Sequence, residues 1–394
     1  MERTVVELFA GVGGFRLGLE ASGWKTVFAN QWEPGKSVQH AFACYASHFD
    51  DGTGTNVDVA TIDMDSIPEH TLLCGGFPCQ DYSVASTLAN SKGIEGKKGV
   101  LWWSIREIVE AKRPPFILLE NVDRLLKSPA SQRGRDFGII LSCLNSLGYS
   151  VEWRVINAAD YGFAQRRRRT FIFATNLDYY KSESAERIIL SDGMFAKGFP
   201  AKKDESKNIE RIIEIPEDLI YLSNNFSASF ENAGYCKDFQ CKTIRTVSTY
   251  DGPRDCLYRN LEHGVDEKYY ICKEDEPKWE YMKGGKKEKR VAKNGFEYNY
   301  SEGPIAYPDY LDQPSRTMLT SEGSKNRSTH VIRDPETNRL RILTPVECER
   351  LNGFPDNWTD TIPEKMRYFC MGNALVVGLI KIMGKELNTI LEKK

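Results

Sequence analysis

The stretch CGGFPCQDYS sets two cysteines, Cys74 and Cys79, five residues apart and in different surroundings. Cys74 sits inside the apolar run LLCGGF and is expected to be a buried small hydrophobe. Cys79 follows Gly-Gly-Phe and Pro78, which takes it out of the strand to where a thiolate would be exposed near a helix start, with a lowered pKa. A cysteine nucleophile ordinarily works with a base, most often histidine. The chain has five histidines and none lies close in sequence, so a protease-like dyad is disfavoured. The electrophile should instead be one that a thiolate attacks with help from an acid. Glu120, followed by Asn121, closes the apolar strand LLENV and supplies that acid at a rim where desolvation raises a carboxyl pKa. A carboxylate that merely caps the next helix is the competing reading. In YGFAQRRRRTFIF, an extended pattern beginning within the run puts alternate arginines on one face. Arg167 and Arg169 then point together, and Arg166 and Arg168 point the other way.

The elements that must position these groups alternate along the first half of the chain. TVVELFAGVGGFRLGLEASG reads as a short apolar strand, a glycine-rich turn and a helix ending at Ser-Gly. KTVFANQW, HTLLCGGFP, PFILLENV and RTFIFAT read as further strands, and FGIILSCLNSLGY as an amphipathic helix. Strands alternating with helices imply an α/β fold: a parallel sheet with helices on both faces, whose ligands gather at the carboxyl ends of the strands. Phe9 to Gly14, Gln31 to Glu33, Cys79 and Glu120 fall at those ends. From about residue 179 the periodicity weakens through 310, although the aromatic content there argues against disorder. Order returns at LTPVECERLNGFPDNW, and MGNALVVGLIKIMGKEL reads as a terminal helix docking on a core.

Composition narrows the field. A chain of 394 residues is long enough for two lobes, and its 41% hydrophobic and 27% charged content is ordinary for a globular protein. The longest apolar runs are short and no basic-then-apolar segment opens the chain, so neither targeting nor membrane insertion is expected. Ten cysteines in no paired framework suit a reducing cytosol. Cys236 and Cys241 have the wrong spacing for a zinc knuckle, and no metal is assigned. A net charge of −2 weighs against indiscriminate coating of nucleic acid, but QRRRR and KGGKKEKRVAK are local basic clusters.

Three polar loop tips together suggest an adenosyl group. Gly11, Gly13 and Gly14 lie between strand and helix, where a ligand can approach backbone N–H groups. The dinucleotide spacing Gly-x-Gly-x-x-Gly is absent, and a tight turn without ligand is the bland alternative. In NQWEP, Trp32 is able to stack on a purine or to be an ordinary core tryptophan. In VDV, Asp58 offers an acceptor for an adenine amino group.

At this point the chain resembles the DNA cytosine-5 methyltransferases of the bacterial restriction–modification type. The matching stretches are FAGVGG, NQWEP, CGGFPCQ, LLENV, AADYGFAQRRRR, TPVECERLNGFPDNW and MGNALVV, in the family's order. The resemblance implies a Rossmann-like, S-adenosylmethionine-dependent sheet domain with a smaller, irregular target-recognition domain. The catalytic domain is expected at 1–178, completed by 364–394, with target recognition and hinge at 179–363. It implies methylation of carbon 5 of a flipped-out cytosine, with no metal. Cys79 adds to carbon 6, Pro78 shapes its approach, Glu120 (beside Asn121) protonates the ring nitrogen, and Arg169 with Arg167 holds the carbonyl oxygen. For the donor, Phe9, Gly11 and Gly14 shape the pocket, with Trp32 against adenine and Asp58 and Val59 at its amino edge. Leu101, Asn373 and Leu375 help to enclose it. Gln31 stands where many relatives carry an acid for the ribose hydroxyls, and Glu33 is expected to share that contact. Gln80, Ser83, Lys286, Lys287 and Arg290 are expected on double-stranded DNA.

A monomer is expected, since an asymmetric task needs no second copy, and the resemblance further implies the bacterial cytosol and a functional pairing with a restriction endonuclease. A tRNA cytosine methyltransferase built on the same motifs is the nearest rival, and the long segment 180–310 favours DNA. A catalytically silent DNA-binding regulator is opposed by the intact Cys79, Glu120 and arginine set. A nicotinamide oxidoreductase rests on the glycine loop alone.

Overall fold

A parallel strand covered on both faces reads as an unbroken apolar run, and four such runs build the centre of the sheet: β1 (Thr4–Leu8), β2 (Lys25–Asn30), β4 (Leu72–Gly76) and β5 (Phe116–Val122). In this computed structural model, which describes residues 1–77, 101–177, 184–291 and 295–392, they lie parallel in the order β2-β1-β4-β5. The two-residue strand β3 (Gly54–Thr55) extends the β2 edge. Beyond β5 the direction reverses: β7 (Arg168–Thr175) pairs antiparallel to β5, and β6 (Ser150–Asn157) antiparallel to β7. The sheet is therefore mixed, where the sequence pattern implies a parallel one. The link from β6 to β7 is too short for a crossover helix, so the pair closes as a hairpin.

Contacts divide the chain into two units. The first comprises Met1–Gly162, Arg167–Pro253 and Val376–Lys394; the second comprises Phe163–Arg166 and Arg254–Leu375. The boundary expected near 179 is thus displaced. Strands β10 (Ala233–Lys237), β11 (Gln240–Ile244) and β9 (Glu210–Glu214) hydrogen-bond in sequence onto β6 and complete a ten-stranded sheet. Strands β8 (Ala201–Lys203) and β12 (Thr246–Ser248) form a separate pair in the same unit. Asp238 and Phe239 both take positive φ, at 48° and 62°, as a two-residue hairpin turn of matching twist requires. That turn sets Cys236 opposite Cys241, and the two form a disulfide. The expectation of wholly unpaired cysteines is corrected here, because spacing alone does not reveal a hairpin.

One face of the sheet packs helices α3 (Leu101–Lys112) and α4 (Arg135–Ser146): Trp102, Ile105, Phe137 and Ile140 join Val6, Leu73, Ile117, Leu119 and Ile172 in one buried cluster. Helix α1 (Gly14–Glu20) instead packs against the C-terminal helix Val377–Leu391 at glycine contacts. A Cβ on Gly18 would lie 2.6 Å from Ile380 Cβ, and one on Gly384 would lie 2.9 Å from Ser22 Cβ. Trp24 Nε1 donates to the Gly384 carbonyl at 3.2 Å. The terminal apolar stretch is not one helix. Its first residues end the helix Glu364–Asn373 of the second unit, and the second helix begins only at Val377.

The second unit has its own apolar core of Ile271, Trp279, Val331 and Leu340. It contains the antiparallel pairs β13 (Lys286–Val291) with β14 (Glu297–Glu302), and β15 (Val331–Arg333) with β16 (Leu340–Ile342). Thr344 and Glu347 form a capping box on the helix Pro345–Asn352. Fully buried Arg341 pairs with Asp334 at 2.6 Å and with Glu347 at 2.7 Å.

Candidate active site

Sheet register brings the acid and the arginines together. In the β5–β7 ladder Val122 opposes Arg169 and Glu120 opposes Phe171, so Glu120 and Arg169 are diagonal neighbours on one face. Arg169 Nε lies 2.8 Å from Glu120 Oε1, and the two side chains are 16% and 13% exposed. Glu120 is therefore a rim group with a partner, rather than the exposed cap of a following helix. Burial raises its pKa above the ordinary carboxyl value, against the opposing charges of Arg169 and Arg167. On β4, Gly76 stands opposite Glu120, and a Cβ there would come within 3.1 Å of Glu120 Oε2. The bare glycine gives the carboxylate its room.

Arg167 is 1% exposed and lies on the same alternation as Arg169, while Arg166 and Arg168 are exposed. Burial and the charge of Arg169 pull Arg167 down to about 9, with Glu120 opposing, so it stays charged at neutral pH. The chain passes between the units at this point. Gln165 belongs to the second unit, where its Nε2 donates to Asn352 Oδ1 at 2.9 Å and its Oε1 accepts from Met318 N at 3.1 Å.

Asn121 faces the opposite side of β5 from Glu120. Its Nδ2 donates to the Phe77 carbonyl at 2.8 Å, and the side chain is buried. Phe77 is the last described residue before Pro78, so Asn121 holds the root of the segment that carries the cysteine. Pro78, Cys79, Gln80 and Ser83 lie outside the described residues. Cys74 is fully buried, and burial together with Glu7 raises its pKa. It is no nucleophile.

At the carboxyl end of β1 the backbone turns left-handed at Phe9 (φ 55°), Gly11 (φ 58°) and Gly13 (φ 91°), and Gly14 opens α1. Among the described residues, nothing lies within 4 Å of where a Gly11 Cβ would stand, so they leave open space above its backbone. Gly11 N donates to Gln31 Oε1 at 2.8 Å. Because an N–H needs an acceptor, this contact fixes the amide orientation and leaves the Gln31 Nε2 hydrogens as donors for a ligand. Trp32 and Asp58 are half-buried and Val59 is buried. Asp58 Oδ1 accepts from Ala60 N at 3.1 Å, which leaves its second oxygen. Glu33 Oε2 accepts from Ala41 N at 3.4 Å, at the start of helix α2 (His40–His48). Leu101 opens α3; Asn373 and the buried Leu375 belong to the second unit.

Lys286, Lys287 and Arg290 all lie on β13, but not on one face. Lys286 pairs with Glu302 at 2.7 Å and Arg290 with Glu288 at 2.6 Å, whereas Lys287 is exposed on the other side.

Sequence reasoning passed over Glu7. It is fully buried as the penultimate residue of β1, and its carboxylate makes no hydrogen bond of ordinary geometry to another described residue. The signal was present, since an acid interrupts the apolar run VVELF. Gly75 was also missed: a Cβ there would meet the Leu8 carbonyl oxygen at 2.4 Å.

The mixed sheet, with its open glycine turn and its acid–arginine pair at the strand ends, is the α/β architecture of methyltransferases. A solved structure of Dnmt2 methyltransferase from S. pombe shares it, with TM-score 0.60 and 16% identity over 100% of this chain and 99% of that one. The sequence profile described as C-5 cytosine-specific DNA methylase matches residues 3–389. The chain is 50% identical to the Type II methyltransferase M.Sau3AI of Staphylococcus aureus, over 98% of this chain and 95% of that protein. It is 34% identical to the Type II methyltransferase M.HhaI of Haemophilus parahaemolyticus, over 99% and 95% respectively. The chain belongs to the C-5 cytosine-specific DNA methylase family, and its enzyme class is DNA (cytosine-5-)-methyltransferase. Among the described residues, no helix is long and apolar enough to cross a membrane.

Proposed function

We propose that the protein methylates carbon 5 of a cytosine flipped out of a specific duplex DNA sequence, by way of a covalent adduct on Cys79. The observation that carries this reading is the half-buried Glu120–Arg169 pair at the end of β5, one residue from Asn121, which ties down the root of the Cys79 segment. Carbon 5 of cytosine is a poor nucleophile. Addition of the Cys79 thiolate to carbon 6, with proton donation from Glu120 to the ring nitrogen, turns carbon 5 into an enamine carbon. Arg169 holds the carbonyl oxygen of the base and Arg167 supports it with a second positive charge. Loss of the carbon-5 proton and departure of the thiolate then restore the aromatic ring. Extrusion of the base costs a few kcal/mol of stacking and pairing, which backbone contacts must offset.

S-adenosylmethionine, when bound, supplies the methyl group as an electrophile. The space that the described residues leave above Gly11, and the outward amide nitrogen that the Gly11–Gln31 bond implies, fit an adenosyl group and its ribose diol. Phe9, Gly11 and Gly14 would shape its cradle, with Trp32 and Val59 against the adenine and Asp58 accepting from the amino group. Leu101, at the start of α3, would help to enclose it. No residue set in this reading calls for a metal. We assign target recognition to the second unit rather than to all of 179–363. The protein is expected to act as a monomer in the bacterial cytosol, shielding DNA from a cognate restriction endonuclease.

The test is methyl transfer from labelled S-adenosylmethionine to unmethylated duplex DNA by the parent and by Cys79→Ala. Label at cytosine with the parent alone supports both the reaction and the nucleophile. Equal incorporation by both refutes the adduct, and labelling of tRNA in place of duplex DNA refutes the substrate.

A further inference from the structure

Among the described residues, strands β13 and β14 pair only with each other, in regular register from Lys286 opposite Glu302 to Val291 opposite Glu297. Directly opposed residues of an antiparallel pair share a face, so this ribbon has two sides of different chemistry. One side is compensated. Lys286 pairs with Glu302, Arg290 pairs with Glu288 and lies 3.5 Å over the Tyr300 ring, and Arg327 is 3.3 Å from Glu302. The other side carries Lys287 and Lys289 opposite Ser301 and Asn299, all exposed. Neither lysine has an ion-pair partner among the described residues. Val291 is the apolar residue of this side, and Glu297 opposes it in the last register pair.

The base of the ribbon is held on both strands. Arg327 donates through Nη1 to the carbonyls of Met282 at 2.7 Å and Gly284 at 3.0 Å, and through Nη2 to that of Gly303. Ile305 N donates to the Lys283 carbonyl at 3.0 Å. An anchored, two-stranded projection with uncompensated cations on one side is shaped for a polyanion. Its lysines stand about 6.8 Å apart along the strand, twice the ~3.4 Å axial spacing of charges on one strand of DNA. A two-stranded ribbon is also among the few elements that the major groove admits.

We propose that the Lys287–Lys289 side of this ribbon is the surface that holds the duplex, with both lysines on phosphates and Ser301 and Asn299 as uncharged hydrogen-bonding neighbours. The proposal rests on the duplex reading above and names the part of the second unit that carries it. It replaces the trio Lys286, Lys287 and Arg290, two of which face the wrong way and are already neutralised.

The experiment measures binding of the full chain to a fluorescent duplex that the parent methylates and to a scrambled duplex, across a series of salt concentrations. Lys287→Ala/Lys289→Ala should weaken binding to both duplexes roughly tenfold or more near 0.1 M salt and reduce the slope of log K against log salt by about 1.8, two contacts at ~0.9 each. Lys287→Arg/Lys289→Arg should restore the slope, which separates loss of charge from loss of fold. An unchanged affinity and slope in the alanine variant, with the parent still methylating duplex DNA, would overturn the proposal and leave the function standing. Failure of the parent to methylate any duplex would overturn both.

Discussion

Replacing Glu7 by Gln should make the protein more stable at neutral and alkaline pH, by an amount that grows with pH. Glu7 is the penultimate residue of β1 with its carboxylate out of water, and burial pushes its pKa from 4.5 to about 8, against the opposing charge and backbone N–H of Arg16. In the unfolded chain the group ionises freely. The folded-state pKa is raised, so the stability linked to this proton is complete below about 4.5 and is lost as pH rises towards about 8. By linkage the loss is about 3 kcal/mol at pH 7, and it increases by roughly 2 kcal/mol between pH 6 and pH 8. Gln has nearly the same shape and no proton to lose. Urea unfolding of parent and Glu7→Gln at half-unit pH steps isolates the effect, since every other group titrates alike in both. The difference between the curves should widen steadily from pH 5 to pH 8. Parallel curves would mean that Glu7 is not buried as a neutral acid, and the reasoning from its desolvation would fail.

Other outcomes follow from the same geometry. Glu120→Gln keeps an acceptor for Arg169 but removes the proton, so turnover should fall by about 10²–10⁴ while the protein remains folded. If the acid form of Glu120 is the active one, activity declines on the alkaline side; Arg169→Leu removes a charge that lowers this pKa, so the decline in residual activity should move to higher pH, and a move to lower pH would refute the assignment. Gly75→Ala places a Cβ 2.4 Å from the Leu8 carbonyl and should cost about 1–3 kcal/mol in urea unfolding through displacement of β4 from β1. Arg341→Met strips the partner from buried Asp334 and Glu347 and should destabilise the second unit by about 3–5 kcal/mol, read as faster hydrogen exchange across 331–352.

Much of this protein is legible in its sequence, because the signals are local. The apolar runs of β1, β2, β4, β5 and β7 and the amphipathic pattern of α4 were each visible within a window of a few residues. The sharing of a face by Arg167 and Arg169 needed only the two-residue period of extended chain. The segment 201–248 was misread for the opposite reason. Its strands are short and alternate weakly, and β10 alone pairs with β6, more than fifty residues earlier, so nothing local announces that they extend the first unit. The split of the terminal apolar stretch was equally hidden. At Gly372, inside the helix Glu364–Asn373, a Cβ would lie 2.4 Å from the backbone of Leu319, a close approach that no local pattern announces.

The sequence by itself determined which groups the chemistry has to work with: a thiol beyond Pro78, an acid closing an apolar strand, paired arginines entering another, and a glycine turn at the first strand's end. Each is written in one short stretch by residue type and period. Only the tertiary structure decided which of them meet. Register across β5 and β7 sets Glu120 on Arg169, a bond from Gly11 fixes the orientation of Gln31, and cross-strand pairing on β13 turns Lys287 outward while neutralising Lys286. Hydrogen bonds between strands that are remote in sequence fix those meetings, and no window along the chain contains both partners.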